Sequence, residues 1–199
     1  AGHHPVDIGV PLHVQRARSA AAQRDEQDRR EGHHRVHRHR RHRQADQEQE
    51  GCYVYRFDPA DGSLSVVADD FAKPNGLAFS PDESVLYVSD TGQSHDPDWP
   101  AQIRQFAVTG ATLTKPKVFA DIDSGLPDGF RLDTDGNIWT SAGLGVNVYD
   151  PAGTLLGRIK TGAKTANVTF GGPDRRRLYI TASQYLMVID VNAAGLQRP

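Results

Sequence analysis

Residues 73–90 read KPNGLAFSPDESVLYVSD, a loop, a strand, a tight turn and a second strand. Pro74-Asn75-Gly76 is the loop and Leu77-Ala78-Phe79 a short apolar strand. Ser80-Pro81-Asp82-Glu83 is the turn, with Pro81 pre-setting φ at its second position. Val85-Leu86-Tyr87-Val88 returns as a β-branched and aromatic strand.

The stretch on either side repeats the pattern. Upstream, Cys52–Phe57 and Leu64–Val67 are strands joined by the turn Asp58-Pro59-Ala60-Asp61-Gly62. Downstream, Ile103–Val108 and Lys117–Ala120 form another pair. Pro127-Asp128-Gly129-Phe130-Arg131-Leu132, the turn Asp133-Thr134-Asp135-Gly136 and Ile138-Trp139-Thr140 then restate the opening unit. A third copy runs from Gly145–Tyr149 through Leu155–Ile159 and Ala166–Phe170 to Leu178–Thr181, and Tyr185–Val191 opens a fourth. No helical period interrupts the series. Four short strands in about 40–50 residues is the size of a β-propeller blade. The expected fold is therefore all-β, a β-propeller carrying about three and a half blades where 4–8 close a ring. A sandwich of the same hairpins is the second reading. An open arc leaves strand edges unpaired at both ends, so either another chain closes the ring or blades are missing.

Composition divides the chain into 1–50 and 51–199. Residues 1–50 contain no Phe, Trp, Tyr or Lys and hold every His except His95. Their densest part is HHRVHRHRRHR, residues 33–43. So little apolar surface cannot offset the entropy of ordering, so a disordered, solvated tract is one expectation. The other is text from a shifted reading frame of a GC-rich gene, since strand signal begins abruptly at Gly51. The His run lacks the fixed spacing of a structural metal site, and the Arg run lacks interleaved aromatics. No nucleic-acid partner is expected. The net charge of −2 averages a basic tract with a mildly acidic body and names no partner. Cys52 is the sole cysteine, which excludes an internal disulfide and fits a reducing compartment. No apolar run approaches the roughly 20 residues of a membrane span, and no signal peptide is visible. A cytoplasmic location is expected, with a periplasmic one left open. The sequence does not fix an oligomeric state.

Candidate chemistry sits in one slot. Aligned on GLAF, GFRL and NVTF, the units read with Asn75, Asp128 and Asn167 as the residue before the inner strand. Asn75 and Asp128 each lie in a Pro-x-Gly. Equivalent positions of successive blades are related by rotation about the propeller axis. If the slot opens on that axis, the oxygen-bearing side chains converge as a hard cation requires. Asn and Asp are also ordinary turn residues, tolerant of left-handed backbone. Asp58, Asp61, Asp82, Asp133, Asp135, Asp150 and Asp174 fall in connecting turns and read as structural. Ser89-Asp90-Thr91-Gly92 could line a mouth or cap a loop. His95, in the loop QSHDPDWP, is the candidate substrate contact in a lid.

The strings CYVYRFDPADGSLSVVADDFAKPNGLAFSPDESVLYVSDTG, PDGFRLDTDGNIWTSAGLGVNVYDPAGTLLGRI and NVTFGGPDRRRLYITA, in that order, resemble the SMP-30/gluconolactonase/LRE-like family of bacterial lactonases. The resemblance spans Gly51 to about Val191 and finds nothing in residues 1–50. It implies a six-bladed β-propeller that hydrolyses small sugar-type lactones. It also implies a divalent cation in the axial channel, Ca²⁺ foremost, with Zn²⁺ or Mg²⁺ as alternatives. By that likeness Asn75 and Asp128 are metal ligands, and Asp128 is also the acid/base. Asn167 is not carried over. The family's remaining ligand, a Glu of the first blade, and further substrate-contacting residues have no counterpart here. The expected activity is thus a gluconolactonase-like hydrolase impaired by missing blades. The alternative is a non-catalytic propeller scaffold.

Overall fold

The computed structural model describes residues 49–196, together with the backbone of residues 6–7 and 13–16. Its strands are β1 (Val6–Asp7), β2 (His13–Arg16), β3 (Cys52–Phe57), β4 (Leu64–Phe71), β5 (Pro74–Phe79), β6 (Val85–Asp90), β7 (Gln102–Thr109) and β8 (Thr112–Asp121). They continue with β9 (Phe130–Leu132), β10 (Ile138–Ala142), β11 (Gly145–Tyr149), β12 (Leu155–Lys160), β13 (Thr165–Gly171), β14 (Arg177–Ala182) and β15 (Tyr185–Asp190). The only helical element among the described residues is a 3-10 turn at Gly92–Ser94, so no helix there is long or apolar enough to cross a membrane.

Four antiparallel sheets follow one another along the chain. They are β3-β4, then β5-β6-β7-β8, then β9-β10-β11-β12, then β13-β14-β15. This is a propeller arc of two complete blades flanked by partial ones. The repeat unit counted from Cys52 straddles two sheets, because β3 and β4 are the outer pair of a blade whose inner pair is not among the described strands. Tyr185–Asp190 accordingly forms the third strand of the last sheet.

The sheets bury their faces on each other, and every seam has its own core. Val54, Ala68 and Phe71 of the half-blade meet Leu86, Val88 and Phe106. Ile103 and Phe119 meet Phe130, Leu132 and Ile138 at the middle seam. Trp139, Val146 and Ile159 meet Val168, Leu178 and Ile180 at the last. Strands β10 and β11 are covered on both faces and are buried at every position. Their sequences are correspondingly apolar or small, apart from Asn147, whose buried amide donates to Tyr149 Oη at 3.1 Å. At the half-blade the outer face is bare. Tyr55 and Phe57 pair across the strands with Val66 and Leu64, and all four side chains are exposed.

Residues 1–50 were expected to be without strands. Two short ones are found there. β1 adds in parallel to the edge of β12, and β2 adds antiparallel to the edge of β15. The physical reason is that a sheet edge offers a row of unpaired N–H and C=O groups to any extended backbone, whatever its side chains. The His/Arg run, and the expectation of disorder or frameshift for the rest of that tract, lie outside the described residues.

Candidate functional site

The slot residues occupy one end of the inner strands β5, β9 and β13, and local backbone irregularity aims them. The β5–β6 register shifts between Pro74 and Leu77, so the bulge falls on Asn75-Gly76. The β13–β14 register shifts between Thr165 and Asn167. Asp128 stands just before β9, next to Pro127, which is fully buried. A bulge releases a residue from its ladder partner and turns its side chain out of the pleat.

Adjacent slots touch through their glycines. A Cβ on Gly76 would stand 2.5 Å from the backbone oxygen of Asp128, and one on Gly129 would overlap the side-chain amide of Asn167. The absence of side chains at these two positions is what lets three blades bring their slots together. Hydroxyls from the second strand of each blade fasten the arrangement. Gly76 N–H donates to Ser89 Oγ at 2.8 Å, and that hydroxyl lies 3.2 Å from Gly76 O and 3.1 Å from Asp128 O. Asp128 N–H donates to Ser141 Oγ at 2.9 Å. Thr181 Oγ1 donates to Asn167 O at 3.3 Å. These three hydroxyls were not singled out by sequence reasoning as one set. The signal was present in the matching endings VSD, TSA and ITA of β6, β10 and β14.

Asn75 is exposed and Asp128 half-buried. Neither side chain has a hydrogen bond or ion pair with any described residue. Asn167 differs, because its Oδ1 accepts the N–H of Val168 at 2.8 Å. Asp128 lines a pocket of about 300 Å³ with Leu126, Lys164, Thr165, Thr181 and Ser183. Among the described residues, no three or more His, Cys, Asp or Glu come together as a metal site. Asn75 and Asp128 thus offer hard, uncommitted oxygens of the right kind for Ca²⁺, but well short of the 6–8 oxygens it takes.

His95 ends the 3-10 turn, exposed, with its Nδ1 2.7 Å from Ser94 Oγ. It is not among the residues lining the Asp128 pocket. Asp90 is a cap. Its buried carboxylate accepts the N–H groups of Ala72, Lys73 and Gly92 at 2.8–3.1 Å. Most turn aspartates are structural as expected. Asp133 is the fullest case, accepting from Asp135 N, Asn137 N, Asn137 Nδ2 and Trp139 Nε1. Asp135 contributes its N–H to that set.

Comparison with known proteins adds the following. The profile of the SMP-30/Gluconolactonase/LRE-like region matches residues 32–184, starting upstream of Gly51. A gluconolactonase of Zymomonas mobilis is 33% identical over 71% of this chain and 41% of its own length. The pentonolactonase XacC of Haloferax volcanii is 32% identical over 67% of this chain and 45% of its own. A solved gluconolactonase from Xanthomonas campestris is 41% identical, with a TM-score of 0.66 over 73% of this chain and 46% of its own. The chain therefore spans less than half the length of each of these relatives.

Proposed function

The chain belongs to the SMP-30/gluconolactonase/LRE-like family, and on that premise we propose that it carries the metal-binding half of a sugar-lactone hydrolase. The carrying observation is the pair Asn75 and Asp128. Two blades present them from adjoining slots, and both are free of partners among the described residues. Lactonases of this family at 32–41% identity support lactone hydrolysis as the chemistry.

In this reading Asn75 and Asp128 hold a divalent cation, Ca²⁺ foremost. When bound, such an ion polarises the ester carbonyl and acidifies a water. The protein's own part is proton transfer. The Asp128 carboxylate takes the proton of the attacking water and returns one to the leaving ring oxygen. Ser141 and Pro127 fix the backbone on which Asp128 stands, so that its carboxylate meets the substrate without prior rearrangement. Residues 51–199 are proposed as the propeller unit. Any further ligands would have to come from outside the described blades.

The test is lactone hydrolysis followed by pH-stat, on this chain and on a chain extended with the upstream blades of a relative. The extended chain should hydrolyse gluconolactone and lose activity in EDTA. Asp128→Asn should lower kcat by about 10²-fold or more. Metal-independent turnover, or full activity of the Asn variant, would refute the reading.

A further inference from the structure

We propose that Lys164 is the anion anchor of the Asp128 pocket, so that the preferred lactone carries an oxyanion substituent, a carboxylate in the simplest case. The inference rests on the lactonase reading for the word lactone, and on the pocket itself for the anion. The neutral polar groups that line the pocket are already committed. Thr165 Oγ1 lies 3.2 Å from Ala163 O, Thr181 Oγ1 3.3 Å from Asn167 O, and Ser183 Oγ 3.3 Å from Lys164 O. The charged ends of Asp128 and Lys164 are left over.

These two line the same space of about 300 Å³, yet no ion pair joins them and neither has another partner among the described residues. A pocket that keeps an aspartate and a lysine apart is matched by a ligand with two ends. Toward Asp128 it presents hydroxyl or water protons. Toward Lys164 it presents an acceptor, because an ammonium has three donors and no acceptor. A neutral sugar lactone offers Lys164 only uncharged hydroxyl, ring and carbonyl oxygens. One with a carboxylate offers an ionised acceptor, so that both partners of the bond carry charge, which a hydroxyl cannot match. Lys164 is held by its backbone, whose carbonyl accepts Ser183 N–H at 2.8 Å, and its side chain is free to follow the ligand. Its exposure means that the charge can be removed without disturbing a seam.

Glucuronate and glucose share a ring and differ by one carboxylate, and neither can be hydrolysed. Their binding to the full chain can be followed by amide shifts of residues 164–166 and 181–183. Glucuronate is expected to bind about ten-fold more tightly than glucose, about 1.4 kcal/mol. Lys164→Gln should abolish the difference and Lys164→Arg should keep most of it. Equal binding of the two sugars, or a preference that survives Lys164→Gln, overturns the assignment. Hydrolysis of neutral gluconolactone by the chain extended with upstream blades is scored separately. Turnover without a glucuronate preference sinks the anchor alone. A preference without turnover of any lactone sinks the lactonase reading and leaves the anchor standing.

Discussion

At the scale of single residues, the carboxylates sort by what they accept. Asp82 sits in the β5–β6 turn and accepts from Ser80 Oγ at 2.6 Å and from Ser84 Oγ and N at 2.8 and 3.1 Å. The Ser80 hydroxyl foremost, then Ser84, pull its pKa from 3.8 down to about 2. A carboxylate whose folded pKa is depressed contributes stability that is complete above the unfolded value and is lost as pH falls through the folded one. The turn keeps this support at neutral pH and sheds it between 3.8 and about 2. Carboxyl NMR titration should find the Asp82 midpoint near 2, and a midpoint near 3.8 would show that the serine bonds do not persist in solution. Turn aspartates of this sort were legible, since D-G and P-D strings state their role. Ser89 was not. Its hydroxyl acts on backbone groups of its own inner strand and of the next blade, a relation that no local pattern displays.

At the scale of elements, the existence and order of the strands were readable, because period-2 and β-branched runs end at Gly, Pro and Asp turns. Some ends were not: β4 runs on to Phe71, β8 begins at Thr112, and β5 takes in Pro74-Asn75-Gly76, which reads as a loop. Blade phase was not readable either, since every hairpin reads alike whether or not it shares a sheet with the next. Nor were the register shifts that aim Asn75 and Asn167. Two glycines test that geometry. A methyl at Gly76 meets the fixed backbone oxygen of Asp128, whereas one at Gly129 meets the exposed Asn167 side chain, which can turn aside by giving up its bond from Val168 N–H. Gly76→Ala should therefore cost about 1–3 kcal/mol, as overpacking against backbone does. Gly129→Ala should cost less than about 1 kcal/mol. Urea midpoints of the two variants decide this, and equal losses would mean that the Gly76 contact relaxes freely.

For the molecule as a whole, stability is unevenly shared. The middle seam is backed by a blade on both sides, while β3-β4 is a two-stranded sheet with one bare face. Arg104 of β7 holds it. Its guanidinium bonds both Asp70 carboxylate oxygens at 2.9 and 2.7 Å and lies 4.6 Å from the Phe71 ring centre. Asp70 is more than half exposed, so the clamp is screened and is worth about 1–3 kcal/mol with its ring contact included. Arg104→Ala should speed amide exchange in β3 and β4 roughly 5- to 100-fold and leave β10 and β11 unchanged. A uniform increase everywhere would show that the arc opens as one unit. The contact of each slot glycine with the neighbouring slot has a different reach. Gly76 bears on Asp128, and Gly129 bears on Asn167. Changes at Gly129 and Asn167 should not be additive, because each alters the space in which the other packs. In a lineage of such chains, positions 129 and 167 would drift as a linked pair, so that a residue acceptable at one in one background would be forbidden in another, whereas position 76, bearing on backbone that every residue supplies, would stay fixed.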